Sequence, residues 1–205
     1  MGGVSRLLIT GLAVALGAVP AWATVPSPDN STIPNVTIQP SGSKEYKVII
    51  LDVGMSPVSD ADVRVIFSDT ADTTLCWCVG QVHPVVGATT DVNGEASFFI
   101  SAGGCMDPNE WVDPPAKVYA NGILMGEVGV VSGDVVDGAG VLPHQGWDPG
   151  GTCESGLPDA VYFTAPIQTG VYNFCTDFNS DGAVTLEDAV WITPPIQAGQ
   201  NCVAQ

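Results

Sequence analysis

Asp177-Phe178-Asn179-Ser180-Asp181-Gly182-Ala183-Val184-Thr185-Leu186-Glu187-Asp188 is the stretch whose reading decides this chain. Oxygen side chains stand at positions 1, 3, 5, 9 and 12 of these twelve residues: Asp177, Asn179, Asp181, Thr185 and Asp188. Ala183 at position 7 offers its backbone carbonyl, and Gly182 at position 6 permits a sharp turn. A hard divalent cation takes about six to eight oxygen ligands, and this spacing wraps such atoms around one point. The expected cofactor is Ca2+, held by Asp177, Asn179, Asp181, Ala183, Thr185 and Asp188.

The loop sits inside an internal repeat. Leu157-Pro-Asp159-Ala-Val161-Tyr-Phe163-Thr-Ala-Pro166-Ile-Gln-Thr-Gly170 recurs 29 residues later as Leu186-Glu-Asp188-Ala-Val190-Trp-Ile192-Thr-Pro-Pro195-Ile-Gln-Ala-Gly199, with nine of fourteen positions identical. A repeat means one supersecondary unit used twice. In each copy the segment from the Asp to the residue before the proline predicts a short helix. The proline, which blocks helix continuation, is expected to end it. The first copy carries a weaker second site. Stepping back 29 residues from Asp177 gives Asp148, but Gly150, Thr152 and Gly156 then replace oxygen-rich positions. A second register uses Asp134 and Asp137, and Asp159 is the last ligand in either.

A calcium loop of EF-hand type that ends in Asp188 rather than Glu, set in paired loop-helix units, resembles a dockerin module. The resemblance runs from Asp134 or Asp148 through Gly199. It implies a small α-helical calcium-loop fold. It also implies a partner, either a cohesin-like receptor or another extracellular protein, in an assembly concerned with polysaccharide. The chain departs from the pattern at loop positions 10 and 11. There cohesin-binding dockerins commonly carry a Ser-Thr pair, and this chain has Leu186-Glu187 and Leu157-Pro158.

Upstream the pattern changes to β. Residues 36–39, 46–53, 61–67, 96–101, 117–121 and 125–131 read as strands, rich in Val, Ile and Phe and punctuated by Pro, Gly, Asn and Asp. Asp91-Val-Asn93-Gly94 is a hairpin signal, because Asn-Gly tolerates the positive φ of a tight turn. Val48-Ile-Ile-Leu-Asp52-Val-Gly54-Met-Ser-Pro57-Val58-Ser-Asp60-Ala61-Asp-Val63 followed by Thr89-Thr90-Asp91-Val-Asn93-Gly94-Glu-Ala96-Ser-Phe98 resembles bacterial Ig-like and carboxypeptidase-regulatory-like domains. The expected fold class is mainly β: an antiparallel Ig-like β-sandwich followed by a small C-terminal α-helical dockerin-like repeat module. The expected division is residues 1–23 signal peptide, 24–34 Pro/Ser-rich lead-in, 35–131 sandwich and 132–205 dockerin-like module.

Composition bounds compartment and chemistry. Arg6, the apolar run from Leu7 to Val19 and the small-x-small triplet Ala21-Trp22-Ala23 form a secretory signal, so a secreted or cell-surface protein with no membrane span is expected. Removing Arg6 leaves four basic against 22 acidic residues, a net charge of −18. From Ser132 onward there is no Lys or Arg. Such a surface repels nucleic acid and anionic membranes. Six cysteines, three in each half, favour disulfides in an exported protein, with one bridge between the halves or one free thiol in each. A Cys175–Cys202 bridge would close the calcium unit, and a zinc site from Cys76, Cys78 and Cys105 is the lesser alternative. The two histidines, His83 and His144, lie in no catalytic motif, so no enzyme is expected. Asn30-Ser-Thr32 and Asn35-Val-Thr37 are glycosylation sequons. Trp111 and Trp147 are the aromatics to weigh for sugar contact.

Overall fold

Alternating burial builds the β part. In the computed structural model, which describes residues 24–134 and 152–203, strand β3 (Asp62–Phe67) turns Val63, Val65 and Phe67 inward and Arg64 outward, where it pairs with Asp62 at 2.8 Å. β3 lies between β5 (Val85–Thr89) and β8 (Ala116–Ala120), and β8 carries β9 (Ile123–Val128) on its other edge. All of these pairings are antiparallel. β2 (Glu45–Ile49) and β6 (Glu95–Phe99) form a second antiparallel pair. Tyr46, Val48, Ala96 and Phe98 from this pair meet Val63, Val65, Phe67, Val118 and Ala120 in one buried cluster. The chain is mainly β, with antiparallel sheets and a few helices.

Two Asn-Gly turns behave differently. Asn121 and Gly122 both take positive φ and join β8 to β9 as a tight hairpin. Asn93-Gly94 also makes a tight turn, with the Asp91 carboxylate accepting the Asn93 and Glu95 N–H groups at 2.8 and 2.9 Å. However, β5 pairs with β3 and β6 with β2, so this turn carries the chain from one sheet to the other. The hairpin expected there is corrected: the turn chemistry is local, whereas strand partners are chosen by the core.

Further elements fill out the structure. Helix α1 (Asp69–Thr74) follows Ser68, whose hydroxyl caps the Ala71 N–H. β4 (Cys76–Trp77) pairs with β7 (Ala102–Gly103). β1 (Val36–Ile38) runs parallel to β10 (Val130–Ser132). The strand expected over 125–131 breaks at Gly129, where a Cβ would collide with the Phe174 ring and sit 2.7 Å from the Met106 carbonyl oxygen. β11 (Thr152–Glu154) and β12 (Asn201–Val203) form the last antiparallel pair.

Helices α2 (Leu157–Thr169) and α3 (Leu186–Ala198) are the two repeat copies. Pro166 and the pair Pro194-Pro195 lie inside them, so the expectation that proline ends each helix is corrected. Each helix runs on to a left-handed glycine, Gly170 or Gly199, whose N–H closes on Pro166 or Ile196. Thr164 and Thr193 bond the carbonyls one turn back, Ala160 and Ala189. Phe163, Phe174, Phe178 and Ile192 pack with Val131 and Cys105 in a second cluster that joins the helices to the β part.

All six cysteines are bonded, as Cys76–Cys153, Cys78–Cys202 and Cys105–Cys175. Every bridge therefore links the residues before β10 to those after it, where one crossing bridge or one free thiol in each half was expected. Cys175 and Cys202 do not join. Cys153 and Cys202 stand opposite each other across β11–β12, which brings both within reach of the Cys76-Trp77-Cys78 strand. The sulfurs of Cys78, Cys153 and Cys202 lie within 4.8 Å of one another. With every thiol oxidised, these cysteines offer no thiolate to zinc.

Candidate functional site

A short 3-10 turn, Phe174–Thr176, delivers the chain to Asp177, and Thr185 caps α3 at the far end of the loop. Between them Ser180 and Gly182 take φ of 58° and 84°. Glycine enters this region without a Cβ penalty, which is the use of Gly182 here. The resulting turn aims N–H groups back at the first side chain. Asp177 Oδ1 accepts the Asp181 N–H at 3.1 Å, and Oδ2 accepts the Gly182 N–H at 2.9 Å. Asn179 Oδ1 accepts the Asp181 N–H at 3.0 Å, and its Nδ2 donates to Asp181 Oδ2 at 2.9 Å. Asp181 Oδ1 accepts the Ala183 N–H at 2.8 Å.

Asp188 closes the loop from the first turn of α3. Its Oδ1 accepts the Phe178 N–H at 2.8 Å and its Oδ2 the Thr185 N–H at 2.8 Å, so one carboxylate both gathers the loop and boxes the helix start. The Thr185 hydroxyl accepts the Glu187 N–H at 3.1 Å and serves as the cap. Asp177, Asn179, Asp181, Ala183, Thr185 and Asp188 are thus held in one hydrogen-bonded loop.

Its electrostatics are one-sided. Asp177 and Asp188 are 2% and 1% exposed. Burial pushes the Asp177 carboxyl above the usual carboxylate range; the Gly182 and Asp181 N–H groups oppose this, and the Asp188 charge adds to it. The Tyr172 hydroxyl also bonds Asp177, and burial followed by that carboxylate raises the tyrosine in turn. No Lys or Arg follows Lys117 in the sequence to offset these charges. The oxygen-only donor set and the two buried carboxylates suit a hard divalent cation.

The weaker second site is divided. Asp159 is 1% exposed and accepts the Gly156 N–H at 2.7 Å, the counterpart of Asp188 on Thr185. Asp134 lies at the end of β10, its carboxylate against Gly103 and its carbonyl accepting the Gly104 N–H at 2.7 Å. Asp137 and Asp148 lie outside the described residues, as do residues 1–23 of the expected signal, His144 and Trp147. Asp134 follows β10, and Asp159 lies in the first turn of α2.

Two residues that bind the loop and helices to the β part, Asn35 and Lys44, and a third that bonds the loop itself, Tyr172, escaped the sequence reading as site residues. Asn35 donates from Nδ2 to Ser180 Oγ at 3.1 Å and accepts the Gly129 N–H on Oδ1 at 3.0 Å, so this sequon amide is spent on packing. Lys44 Nζ lies 2.8 Å from the centre of the Trp191 ring, and burial holds that lysine below its usual range. Tyr172 is the third. No motif marks these roles, since Asn35 and Lys44 act across more than a hundred residues and Tyr172 from outside the loop. Trp111 is half-buried and packs against the main core.

The helices present a second feature. Leu157 and Val161 on α2 are 76% and 66% exposed, and their repeat counterparts Leu186 and Val190 on α3 are 75% and 71% exposed. A cleft of about 290 Å3 between the helices is lined by Ala160, Thr164, Ile167, Ala189, Thr193 and Gln197 above Phe163 and Ile192.

No family model and no curated protein matches this chain. Among solved structures, the adhesin InvE of Yersinia pseudotuberculosis matches 56% of the chain at 17% identity, with a TM-score of 0.29. The chain spans 29% of that protein's length. Likeness at this level carries no argument about fold or function.

Proposed function

We propose that this chain is a non-catalytic, calcium-binding interaction protein in which a dockerin-like module, residues 152–203, is carried on an Ig-like β-sandwich. The observation that carries the reading is the loop at Asp177–Asp188. It gathers oxygen donors around two buried carboxylates, and among the described residues no Lys or Arg is ion-paired with either. A calcium ion would be held by Asp177, Asn179, Asp181 and Asp188, with the Ala183 carbonyl and Thr185 completing the set. The ion would supply the missing positive charge. Asp188 then links the ion to α3, because the same carboxylate boxes the helix start. The exposed apolar pairs Leu157/Val161 and Leu186/Val190 are the surface for a partner, of which a cohesin-like extracellular protein is one form. Three disulfides are compatible with an oxidising, extracellular setting, and no helix among the described residues is long and apolar enough to cross a membrane.

A structural reading is favoured by one observation: all three disulfides tie the calcium-loop unit to the β part. On that reading calcium and disulfides stabilise a building block and the helical face stays bare. Surface-immobilised full-length chain separates the two. Exported proteins of the source cells are passed over it in calcium and in chelator, beside a Val161→Gln/Val190→Gln variant. A partner retained only in calcium, and lost from the variant, supports docking. Retention unaffected by both changes would leave the structural reading.

A further inference from the structure

The 26 residues of α2 and α3 are unusual for helices at a protein surface. Such helices ordinarily place charged residues opposite their apolar stripe. Here α2 has one ionisable acid, the buried Asp159, and α3 has the buried Asp188 and the exposed Glu187. Their solvent-facing positions include Leu157, Val161, Leu186 and Val190, and beside Glu187 the exposed polar ones are uncharged, among them Thr164, Gln168, Thr193 and Gln197. The four apolar side chains recur at matching repeat positions on the two helices whose facing residues line the cleft. Beside α3 a second hollow of about 510 Å3 is lined by Leu186, Ala189, Val190, Thr193 and Pro194. A repeated apolar face of this kind marks an interaction site.

Charge decides what fits it. Exposed Glu187 follows Leu186 in the first turn of α3, and residues 118–205 contain no Lys or Arg. Lys44 is already seated on the Trp191 ring. A second copy would bring the same acidic rim against itself, on a chain of net charge −17. Like charges brought together at an interface rim disfavour that pairing, whereas opposite ones steer association.

We infer that the α2–α3 face docks a protein partner presenting an apolar ridge edged by lysine or arginine side chains. This rests on the docking reading of residues 152–203 and names the chemistry of the partner. The ridge lies along the exposed Val161 and Val190, and the basic edge meets Glu187.

Two synthetic amphipathic helical peptides test it on the full chain, with binding followed through Trp191 fluorescence. Both carry the same Leu/Val stripe; one is flanked by Lys and the other by Glu. The Lys-flanked peptide is expected to bind at least about tenfold more tightly, with the gap closing as salt shortens the Debye length from about 10 Å at 0.1 M to about 3 Å at 1 M. Glu187→Gln should narrow the preference. A Leu157→Gln/Val161→Gln/Leu186→Gln/Val190→Gln variant, all exposed sites, should abolish binding with unchanged circular dichroism. Equal binding of both peptides would overturn the basic-edge inference and leave docking standing. No binding of either would overturn both. A stable dimer in sedimentation at physiological salt, lost in the four-site variant, would show that the occupant is a second copy and overturn the partner named here.

Discussion

Removing the Cys105–Cys175 bridge should destabilise the whole chain, not the C-terminal unit alone. Cys105 is 3% exposed among Val131, Phe163, Phe174, Phe178 and Ile192, so alanine is the right replacement; a serine hydroxyl there would add its own burial cost. The sequence separation is 70 residues, but two other bridges shorten the path. From Cys105 back to Cys76, across to Cys153 and forward to Cys175 is a closed loop of about 51 residues. The chain-entropy relation then gives about 4 kcal/mol, little less than for the direct loop, because the dependence is logarithmic. For a domain of this size that is about 8–16 °C in Tm. The assay is thermal unfolding of Cys105→Ala/Cys175→Ala beside the wild type, in chelator, followed separately by far-ultraviolet circular dichroism and tryptophan fluorescence. Wild type should melt in one transition by both probes, since all three bridges join the two halves. Two separated wild-type transitions, or a variant within about 2 °C of wild type, would refute the claim that the halves are one cooperative body.

Gly129→Ala should cost about 1–3 kcal/mol, since the new methyl meets the Phe174 ring, Pro108 Cδ at 2.5 Å and the Met106 carbonyl oxygen; chemical denaturation checks this. The Asp177 carboxyl, held above its ordinary value, binds its proton more tightly folded than unfolded. In chelator, stability should therefore fall as pH rises through the window between the ordinary aspartate value and the raised one. Asp177→Asn should flatten that dependence in a series of melts across the window.

Local chemistry was legible and partner choice was not. The loop from Asp177 to Asp188 could be read because its ligand types recur at fixed spacing, and the structure gathers those residues. The strand at 61–67 was legible because Val63, Val65 and Phe67 alternate with Arg64 and Ile66, and one face is buried. Asn93-Gly94 shows the limit: its turn is real, but which strands pair depends on Tyr46, Phe98 and the facing sheet, far away in sequence. The prolines misled for a related reason. Pro166 and Pro195 lose N–H donors, but Phe163, Ile192 and the left-handed Gly170 and Gly199 hold each helix through its last turn. β4, β7, β11 and β12 are two or three residues long, too short for periodicity to mark, and three of them carry a bridged cysteine whose partner the sequence leaves open. Helix α1 did carry a signal, Ser68 before Asp69, which apolar periodicity alone overlooks.

Calcium titration calorimetry on the chain, beside Asp181→Ala, tests the central claim most directly. One ion per chain, lost in the variant and accompanied by a calcium-dependent rise in Tm, is expected, because ligand confined to the folded state stabilises it by about 2.7 kcal/mol at a hundredfold excess over Kd. No heat of binding and no shift in Tm for the wild-type chain would contradict the assignment of Asp177–Asp188 as a calcium site.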